Sequence, residues 1–179
     1  LGIAGGNLER DLATICNFAD QYGTDAGVVR AWINNSQHRK NWVARTLQQA
    51  LTGKKSNYTV AVWGLAYKEN THSTKNSASI STILQLKDVR LRVFDPIVSW
   101  KNEWHSKTHV CSSELEALDG ADALIIMTQW PQFKNIDPLE IVKRMKGRLI
   151  LDPYSILTIG FAEEHGVDLH TLGRQPLSH

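Results

Sequence analysis

The chain has 179 residues, of which 42% are hydrophobic and 21% charged, and this ordinary globular composition excludes an intrinsically disordered chain. Its 20 basic and 18 acidic residues are interleaved, so no segment is predicted to bind nucleic acid. The 2 cysteines and 7 histidines show no disulfide or metal-ligand spacing. Apolar runs are too short to span a membrane and no signal peptide opens the chain, so we expect a cytoplasmic protein without membrane contact.

The first third of the sequence has a helical period. Residues Asn7 to Tyr22 predict a helix with Asn7 as its N-cap and Gly23 as its stop. A second, longer helix is predicted from Asp25 to about Leu51, ended by Gly53. Two amphipathic helices cannot bury their apolar faces alone, so we expect them to pack against a subunit or another domain. The chain starts inside a glycine-rich loop, and we expect this start to be a boundary within a longer protein.

The period changes after the polar stretch 54–57, which we interpret as the boundary between a helical region, 1–53, and a second domain, 54–179. Short apolar runs then alternate with helical segments, which predicts an α/β protein with a Rossmann-like, doubly wound parallel sheet preceded by a two-helix segment. The predicted strands are Thr59–Trp63, Leu91–Asp95, Ala123–Thr128 and Arg148–Asp152, with Val167–Leu172 as a candidate fifth. The predicted helices are Ser77–Leu86, Ser113–Leu118 and Pro138–Met145; the last two begin at capping boxes, Ser113 with Glu116 and Asp137 with Glu140.

Doubly wound sheets bind ligands beyond the carboxyl ends of their strands, where the first strand runs into the loop Gly64–Ser77. A dinucleotide-binding loop would carry G-x-G-x-x-G, and this loop has only the first glycine, so the domain is not predicted to be the main NAD site. Two interpretations of Lys68 and Lys75 stay open: they point at an anionic ligand, with Tyr67 beside a base, or they are solvated charges. Asp95 either contacts a ribose or caps the following turn.

Five patterns follow one another along the chain: Gly2-Ile-Ala-Gly-Gly-Asn-Leu-Glu-Arg-Asp11, Asn34-Asn-Ser-Gln37, Gly64-Leu-Ala-Tyr-Lys-Glu-Asn-Thr-His-Ser-Thr-Lys-Asn-Ser77, Phe94-Asp-Pro96 and Thr128-Gln-Trp-Pro-Gln-Phe133. In this order and spacing they resemble the UDP-glucose/GDP-mannose dehydrogenase family. The corresponding family patterns are G-[FI]-G-G-x-C-x-x-[KV]-D, N-x-x-Q, G-x-A-[FY]-K-x-x-T-x-D-x-R-x-S, Y-D-P and T-x-W-x-x-F. The resemblance covers nearly the whole chain.

The resemblance implies an NAD-dependent UDP-sugar 6-dehydrogenase in three parts. An N-terminal domain binds most of the NAD and is not in this sequence; a central helical region, present in part, forms the homodimer; and a C-terminal domain binds the UDP-sugar. Tyr67, Lys68 and the Gly5-Gly6 turn match positions that bind the nucleotide sugar. Lys75 falls where the family has an arginine that reaches toward the cofactor.

The departures from the family concern its chemistry. Family enzymes oxidise the C6 alcohol to a carboxylate in two hydride transfers, and a cysteine thiolate holds the aldehyde between them. Asn7 falls at that cysteine, and an amide cannot attack a carbonyl. Asp11 matches an aspartate that helps activate water, and Tyr154 replaces an arginine that meets substrate across the dimer. Cys16 lies about two and a half helical turns beyond Asn7 and cannot replace the nucleophile.

Two functional interpretations follow from these departures. The first is an oxidoreductase of altered chemistry, such as one that stops after one hydride transfer with Asn7 polarising the oxygen. The second is a paralogue without catalysis that binds a nucleotide sugar or serves as a scaffold. Asn7 as a simple helix N-cap is compatible with either. We favour the first interpretation, because Asp11, the Gly-Gly turn, Asn34 and Lys68 are retained together.

Overall fold

The structure, a computed structural model, describes residues 1–52 and 57–177 and is built around a six-stranded parallel sheet. The strands are β1 (Thr59–Trp63), β2 (Arg90–Phe94), β3 (Thr108–Val110), β4 (Ala123–Ile126), β5 (Leu149–Leu151) and β6 (Asp168–His170). They lie in the order β3-β2-β1-β4-β5-β6, with every neighbouring pair parallel. This is the order of a doubly wound Rossmann sheet, so the predicted fold class is confirmed.

Helices cover both faces of the sheet. The helices of the described residues are α1 (Asn7–Tyr22), α2 (Gly27–Lys40), α3 (Trp42–Leu51), α4 (Ala78–Ile83), α5 (Glu114–Leu118), α6 (Pro131–Lys134), α7 (Pro138–Arg144) and α8 (Ile159–His165). Helices α1 and α2 pack on each other, and α3 to α8 pack on the sheet. Side chains of β1 alternate between two buried clusters, because successive residues of a strand face opposite sides. One cluster is formed with α3 and α4 and the other with α5 to α8. No helix in the described parts of the chain is long and apolar enough to cross a bilayer.

The prediction of one long helix from Asp25 to Leu51 is wrong, so three helices precede the sheet instead of two. The chain leaves helical geometry at Asn41, which separates α2 from α3. The physical reason is that the two halves bury different surfaces. Val29 and Ile33 of α2 pack with α1, whereas Val43 and Leu47 of α3 pack under the sheet. A straight helix would not present both stripes to these two partners.

The prediction of the helix ends is partly correct. Gly23 closes α1 in the left-handed conformation, as predicted. The predicted stop at Gly53 and most of the boundary at 54–57 lie outside the described residues. Ser113 and Asp137 cap α5 and α7 through their side chains. Neither capping box closes, because Glu116 and Glu140 bond to other partners.

The sequence prediction missed three elements, β3, α6 and α8. Strand β3 has the sequence Thr-His-Val, and its side chains are exposed or half-buried because it lies at the edge of the sheet. It therefore has no apolar run from which a buried strand is recognised. Helices α6 and α8 have 4 and 7 residues, too short for a helical period to stand out. The candidate fifth strand is real and forms β6 at the opposite edge.

Candidate functional site

The carboxylate of Asp95, directly after β2, organises the carboxyl edge of the sheet. It accepts hydrogen bonds from the backbone N–H groups of Leu65 (2.7 Å), Ala66 (3.1 Å), Ile97 (2.9 Å) and Val98 (2.8 Å) and from the indole N–H of Trp130 (3.2 Å). The loops after β1, β2 and β4 are therefore joined through one side chain. Of the two roles left open for Asp95, the structure shows the capping role, because both carboxylate oxygens are occupied by protein donors.

The carbonyl groups at the start of the loop 64–77 are also used inside the protein. Hydroxyl groups donate to three successive carbonyl oxygens, Ser79 to Gly64 (2.7 Å), Ser77 to Leu65 (2.7 Å) and Thr128 to Ala66 (2.8 Å). In a G-x-G-x-x-G loop the free backbone N–H groups bind a pyrophosphate. Here the first amides after β1 bind Asp95 instead. The N–H groups of Leu65 and Ala66 are therefore not available to an anion.

Gly64 is required at the end of β1 for a steric reason. Its φ of 94° lies in the region that favours glycine. A Cβ atom there would lie 2.4 Å from Oγ1 of Thr128, far inside van der Waals contact. The close approach lets the Thr128 hydroxyl reach the Ala66 carbonyl, so the glycine links the loops after β1 and β4.

The glycine-rich turn at the start of the chain lies against this loop. A Cβ atom on Gly5, whose φ is 78°, would lie 3.2 Å from the ring of Tyr67. The ammonium group of exposed Lys68 lies 5.7 Å from the centroid of the Tyr67 ring, within cation–π range. The backbone N–H of Ile3 donates to Ser36 of α2 (2.8 Å), which holds the turn from its other side. Tyr67, Lys68 and the turn thus form one continuous surface.

Lys75 and Asn76 complete the contact between the turn and the loop. The Lys75 side chain packs directly on Gly6, where a Cβ atom would lie 2.7 Å from its terminal atoms and would make this flexible side chain shift. The Asn76 amide donates to the carbonyl oxygen of Gly5 (2.7 Å). Lys75 also lines a cleft of about 550 Å³ together with Trp104. Sequence reasoning missed Asn76; its place directly before the Ser77 cap was the available signal.

The interpretation of Asn7 as a helix N-cap is wrong, because Gly6 occupies that position and Asn7 is the first residue of α1. Its side chain is exposed. Asp11, one turn further along α1, accepts hydrogen bonds from the guanidinium of Arg10 (2.9 and 3.0 Å). The amide of Asn7 and the carboxylate of Asp11 thus lie on the first two turns of a helix that begins at the site.

Tyr154 follows β5 at the same edge of the sheet. Its hydroxyl donates to the carbonyl oxygen of Met127 (3.2 Å), and its backbone N–H donates to the buried carboxylate of Asp152 (3.2 Å). Burial raises the pKa of Tyr154 to about 12, and the carboxylate of Glu69 contributes in the same direction. Tyr154 is therefore neutral near pH 7 and links the strand ends of β4 and β5.

Residues 61–159, more than half of the chain, match the family model described as the UDP-glucose/GDP-mannose dehydrogenase family, UDP binding domain. The chain is 28% identical over 177 residues to UDP-glucose 6-dehydrogenase of Rickettsia typhi and 27% identical over 187 residues to that of Pseudomonas aeruginosa. These alignments cover 96% and 99% of this chain and 41% of each relative. The chain belongs to the UDP-glucose/GDP-mannose dehydrogenase family, as its sequence patterns predict.

Solved structures agree with this assignment. UDP-D-ManNAc dehydrogenase from Pyrococcus horikoshii matches with a TM-score of 0.76 and 27% identity, over 97% of this chain and 39% of that chain. NDP-N-acetyl-D-galactosaminuronic acid dehydrogenase from Methanosarcina mazei matches in fold, with a TM-score of 0.74 and 17% identity, over 97% of this chain and 39% of that chain. The chain thus spans about two fifths of the proteins it resembles.

Replacing Asp95 with asparagine tests whether the hydrogen bonds of its carboxylate hold the three loops together. We expect Asp95→Asn to lower the free energy of unfolding by about 3 kcal/mol, because an amide nitrogen would face N–H donors and leave them unpaired. Urea denaturation measures the change. The matched control is Asp137→Asn at the N-cap of α7, where either residue accepts the single bond and we expect a change below about 0.5 kcal/mol. Equal losses in the two variants would contradict the role of Asp95.

Proposed function

We propose that this chain is the C-terminal, nucleotide-sugar-binding part of an NAD-dependent UDP-sugar 6-dehydrogenase homologue. In this proposal residues 54–179 bind the UDP-sugar and residues 1–53 belong to a central dimerisation region. The observation that carries it is the contact of the Gly5-Gly6 turn with Tyr67 and Lys75, which brings the position of the family's catalytic cysteine beside the binding loop. Family membership and the UDP-sugar and UDP-glucose names of the relatives support the choice of ligand.

Charge supports a phosphate ligand at this edge. The first amides after β1 are occupied, so a pyrophosphate needs cationic side chains. Lys68 and Lys75 flank Tyr67, and within residues 1–52 and 57–177 neither forms an ion pair with a carboxylate. We assign Tyr67, Lys68 and the Gly5-Gly6 turn to the nucleotide sugar. Tyr154, neutral and bonded to Met127, supports the edge where that ligand lies.

We propose NAD as the cofactor of the whole protein, bound mainly by a domain that this sequence does not include. Lys75 is the residue of this chain that we assign to it, since its side chain lies on Gly6, next to Asn7. The chain spans 41% of relatives that are named dehydrogenases, which supports a division of ligands between domains. By itself the chain is expected not to reduce NAD with any UDP- or GDP-sugar.

A nucleotide titration followed by tryptophan fluorescence tests the binding loop, because Trp104 lines the cleft beside Lys75. We expect saturable binding of UDP and weaker binding of uridine. Lys68→Ala should raise the dissociation constant at least about tenfold, since a charge-assisted hydrogen bond contributes about 1.5–3 kcal/mol. The control is Lys87→Ala, an exposed lysine remote from the loop 64–77. Equal UDP affinity in both variants would refute the assignment of Lys68.

We propose that Asn7 changes the chemistry by removing the covalent step. After one hydride transfer to NAD the product is an aldehyde, and an amide cannot form the thiohemiacetal from which a second hydride would leave. Asn7 can instead donate a hydrogen bond to the reacting oxygen, and Asp11, one turn away, can orient water. The alternative, a paralogue that binds the nucleotide sugar without catalysis, is favoured by the same missing nucleophile.

The longer protein that contains this chain distinguishes these alternatives. With NAD and UDP-glucose, UDP-N-acetyl sugars or GDP-mannose, we expect NADH and an aldehyde but no carboxylate. Asn7→Cys should produce carboxylate, because its thiol adds to the aldehyde, a second hydride leaves to NAD, and water hydrolyses the thioester. Asn7→Ala is the control and should form none. UDP binding without any turnover would support the non-catalytic alternative, and carboxylate from the unmodified protein would refute the role given to Asn7.

We propose a homodimer formed through the helical region. The outer faces of α1 and α2 expose large apolar side chains: Leu8, Ile15, Phe18, Tyr22, Val28 and Trp32. Several large apolar side chains exposed on two neighbouring helices are typical of a protein interface. These side chains are not part of the core, because the buried residues of α1 are Leu12, Cys16 and Ala19 on its inner face. The exposed face is therefore available to a second copy.

Sedimentation equilibrium of the longer protein tests the dimer. We expect Phe18→Glu to shift it to the monomer, because burying a phenylalanine contributes about 1.5–3 kcal/mol and a carboxylate would be buried unpaired. Leu139→Glu is the control: this side chain is 41% exposed on α7, away from the helical region, and the dimer should persist. A monomer in the unmodified protein, or a dimer in Phe18→Glu, would rule out this interface.

A further inference from the structure

A second group of chemically reactive side chains lies at the edge of the sheet, two strands away from β1. His109 is on β3, and Cys111 follows two residues later, so both project from the same face. Glu116 reaches them from α5. One ligand atom of each residue, an imidazole nitrogen, the thiol sulfur and a carboxylate oxygen, lies within 4.8 Å of the other two.

The carboxylate of Glu116 is held in position by its neighbour. Its Oε2 atom accepts hydrogen bonds from the backbone N–H (2.7 Å) and the hydroxyl (2.6 Å) of Ser112. These bonds fix the orientation of the carboxylate. The other oxygen, Oε1, faces Nε2 of His109 at 3.2 Å. In metal sites a carboxylate that binds the metal is commonly oriented by hydrogen bonds from neighbouring groups, as Ser112 orients Glu116 here.

We propose that His109, Cys111 and Glu116 bind a divalent transition-metal ion of the zinc class. A thiolate, an imidazole and a carboxylate are the three ligand types that zinc accepts, whereas magnesium and calcium take oxygen ligands. In a tetrahedral site with bonds of about 2.0–2.3 Å the ligand atoms lie about 3.3–3.8 Å apart, so atoms now within 4.8 Å of one another need to approach by roughly 1 Å or less. Water takes the fourth position. Binding transfers the thiol proton of Cys111 to solvent as the metal–sulfur bond forms.

Charges of both signs surround the three side chains. The guanidinium of Arg92 is 4.0 Å from Oε1 of Glu116, but its Nε and Nη2 donate to the Glu116 carbonyl oxygen (3.2 and 2.6 Å). Arg92 is therefore directed at the backbone of α5 and not at the ligand oxygen. Near Cys111 the positive charge of Arg92 acts most strongly, and Glu116 and Asp119, which pairs with Arg144, contribute negative charge. A bound metal would join the edge strand to α5.

The motif is His-x-Cys-x4-Glu, which sequence reasoning passed over because only one histidine and one cysteine take part. The third ligand, Glu116, comes from the first turn of α5, which follows β3 along the chain. This inference does not depend on the proposed nucleotide site, since the two share no residue.

Titration of the chain with Zn²⁺ against a chromogenic chelator tests the proposal, together with the absorption of its Co²⁺ complex. We expect one ion per chain, a thiolate-to-cobalt band, and dissociation constants raised at least about tenfold by His109→Ala, Cys111→Ser and Glu116→Gln. The matched controls are His38→Ala, an exposed histidine on α2, and Cys16→Ser, the second buried cysteine; both should bind as the unmodified chain does.

His109→Ala alters an exposed side chain, so its fold is expected to persist, and circular dichroism verifies this. Folded His109→Ala with undiminished Zn²⁺ affinity would overturn the proposal. So would a Co²⁺ complex without a thiolate band, or equal loss of binding in the two control variants. UDP binding should be the same with and without Zn²⁺, which separates this test from that of the nucleotide site.

Discussion

The carboxyl edge of this sheet depends on one buried constraint: backbone N–H groups that leave β1 need acceptors, and Asp95 provides them. By accepting from three loops at once, its carboxylate sets the path of the segment 64–77. The same bonds remove the amides with which other Rossmann loops bind pyrophosphate. In the function that we propose, Lys68 and Lys75 of this loop bind the anionic ligands. The hydrogen bonds of Asp95 themselves serve to cap the ends of the strands.

The site is assembled from segments far apart in the chain. The Asn76 side chain bonds to Gly5, 71 residues earlier, and the lack of side chains at Gly5 and Gly6 lets Tyr67 and Lys75 approach the turn. The ion pair of buried Lys40 with Glu9 holds α1 against α2 below this contact. These contacts support the turn that directly precedes Asn7. The family resemblance places Asn7 at the position of the catalytic cysteine, and an amide there cannot form a thiohemiacetal.

Several elements follow from local signals and were predicted with near-correct bounds. Strand β1 and helix α1 have strong periodic patterns and clear ends, and their bounds agree with the structure. Two of the failures, the break at Asn41 and the missed strand β3, have a common cause, because each depends on a partner outside the segment. Asn41 interrupts a periodic run since the halves pack on different surfaces, and β3 forms because β2 offers it a ladder, not because its own residues favour burial. The role of Asp95 was undecided because a ribose hydroxyl and a backbone N–H can both donate a hydrogen bond to a carboxylate. The sequence alone does not show which of these donors lies within reach.

The amino-acid sequence by itself determined the family and the parallel α/β fold, since these depend on residue identity and on order along the chain. Tertiary structure alone decided which groups meet: Gly5 with Tyr67, Asp95 with three loops, and His109 and Cys111 with Glu116. The physical reason is that hydrogen bonds and metal–ligand contacts act over a few ångströms, and such distances between remote residues are fixed only when the sheet and its helices have packed.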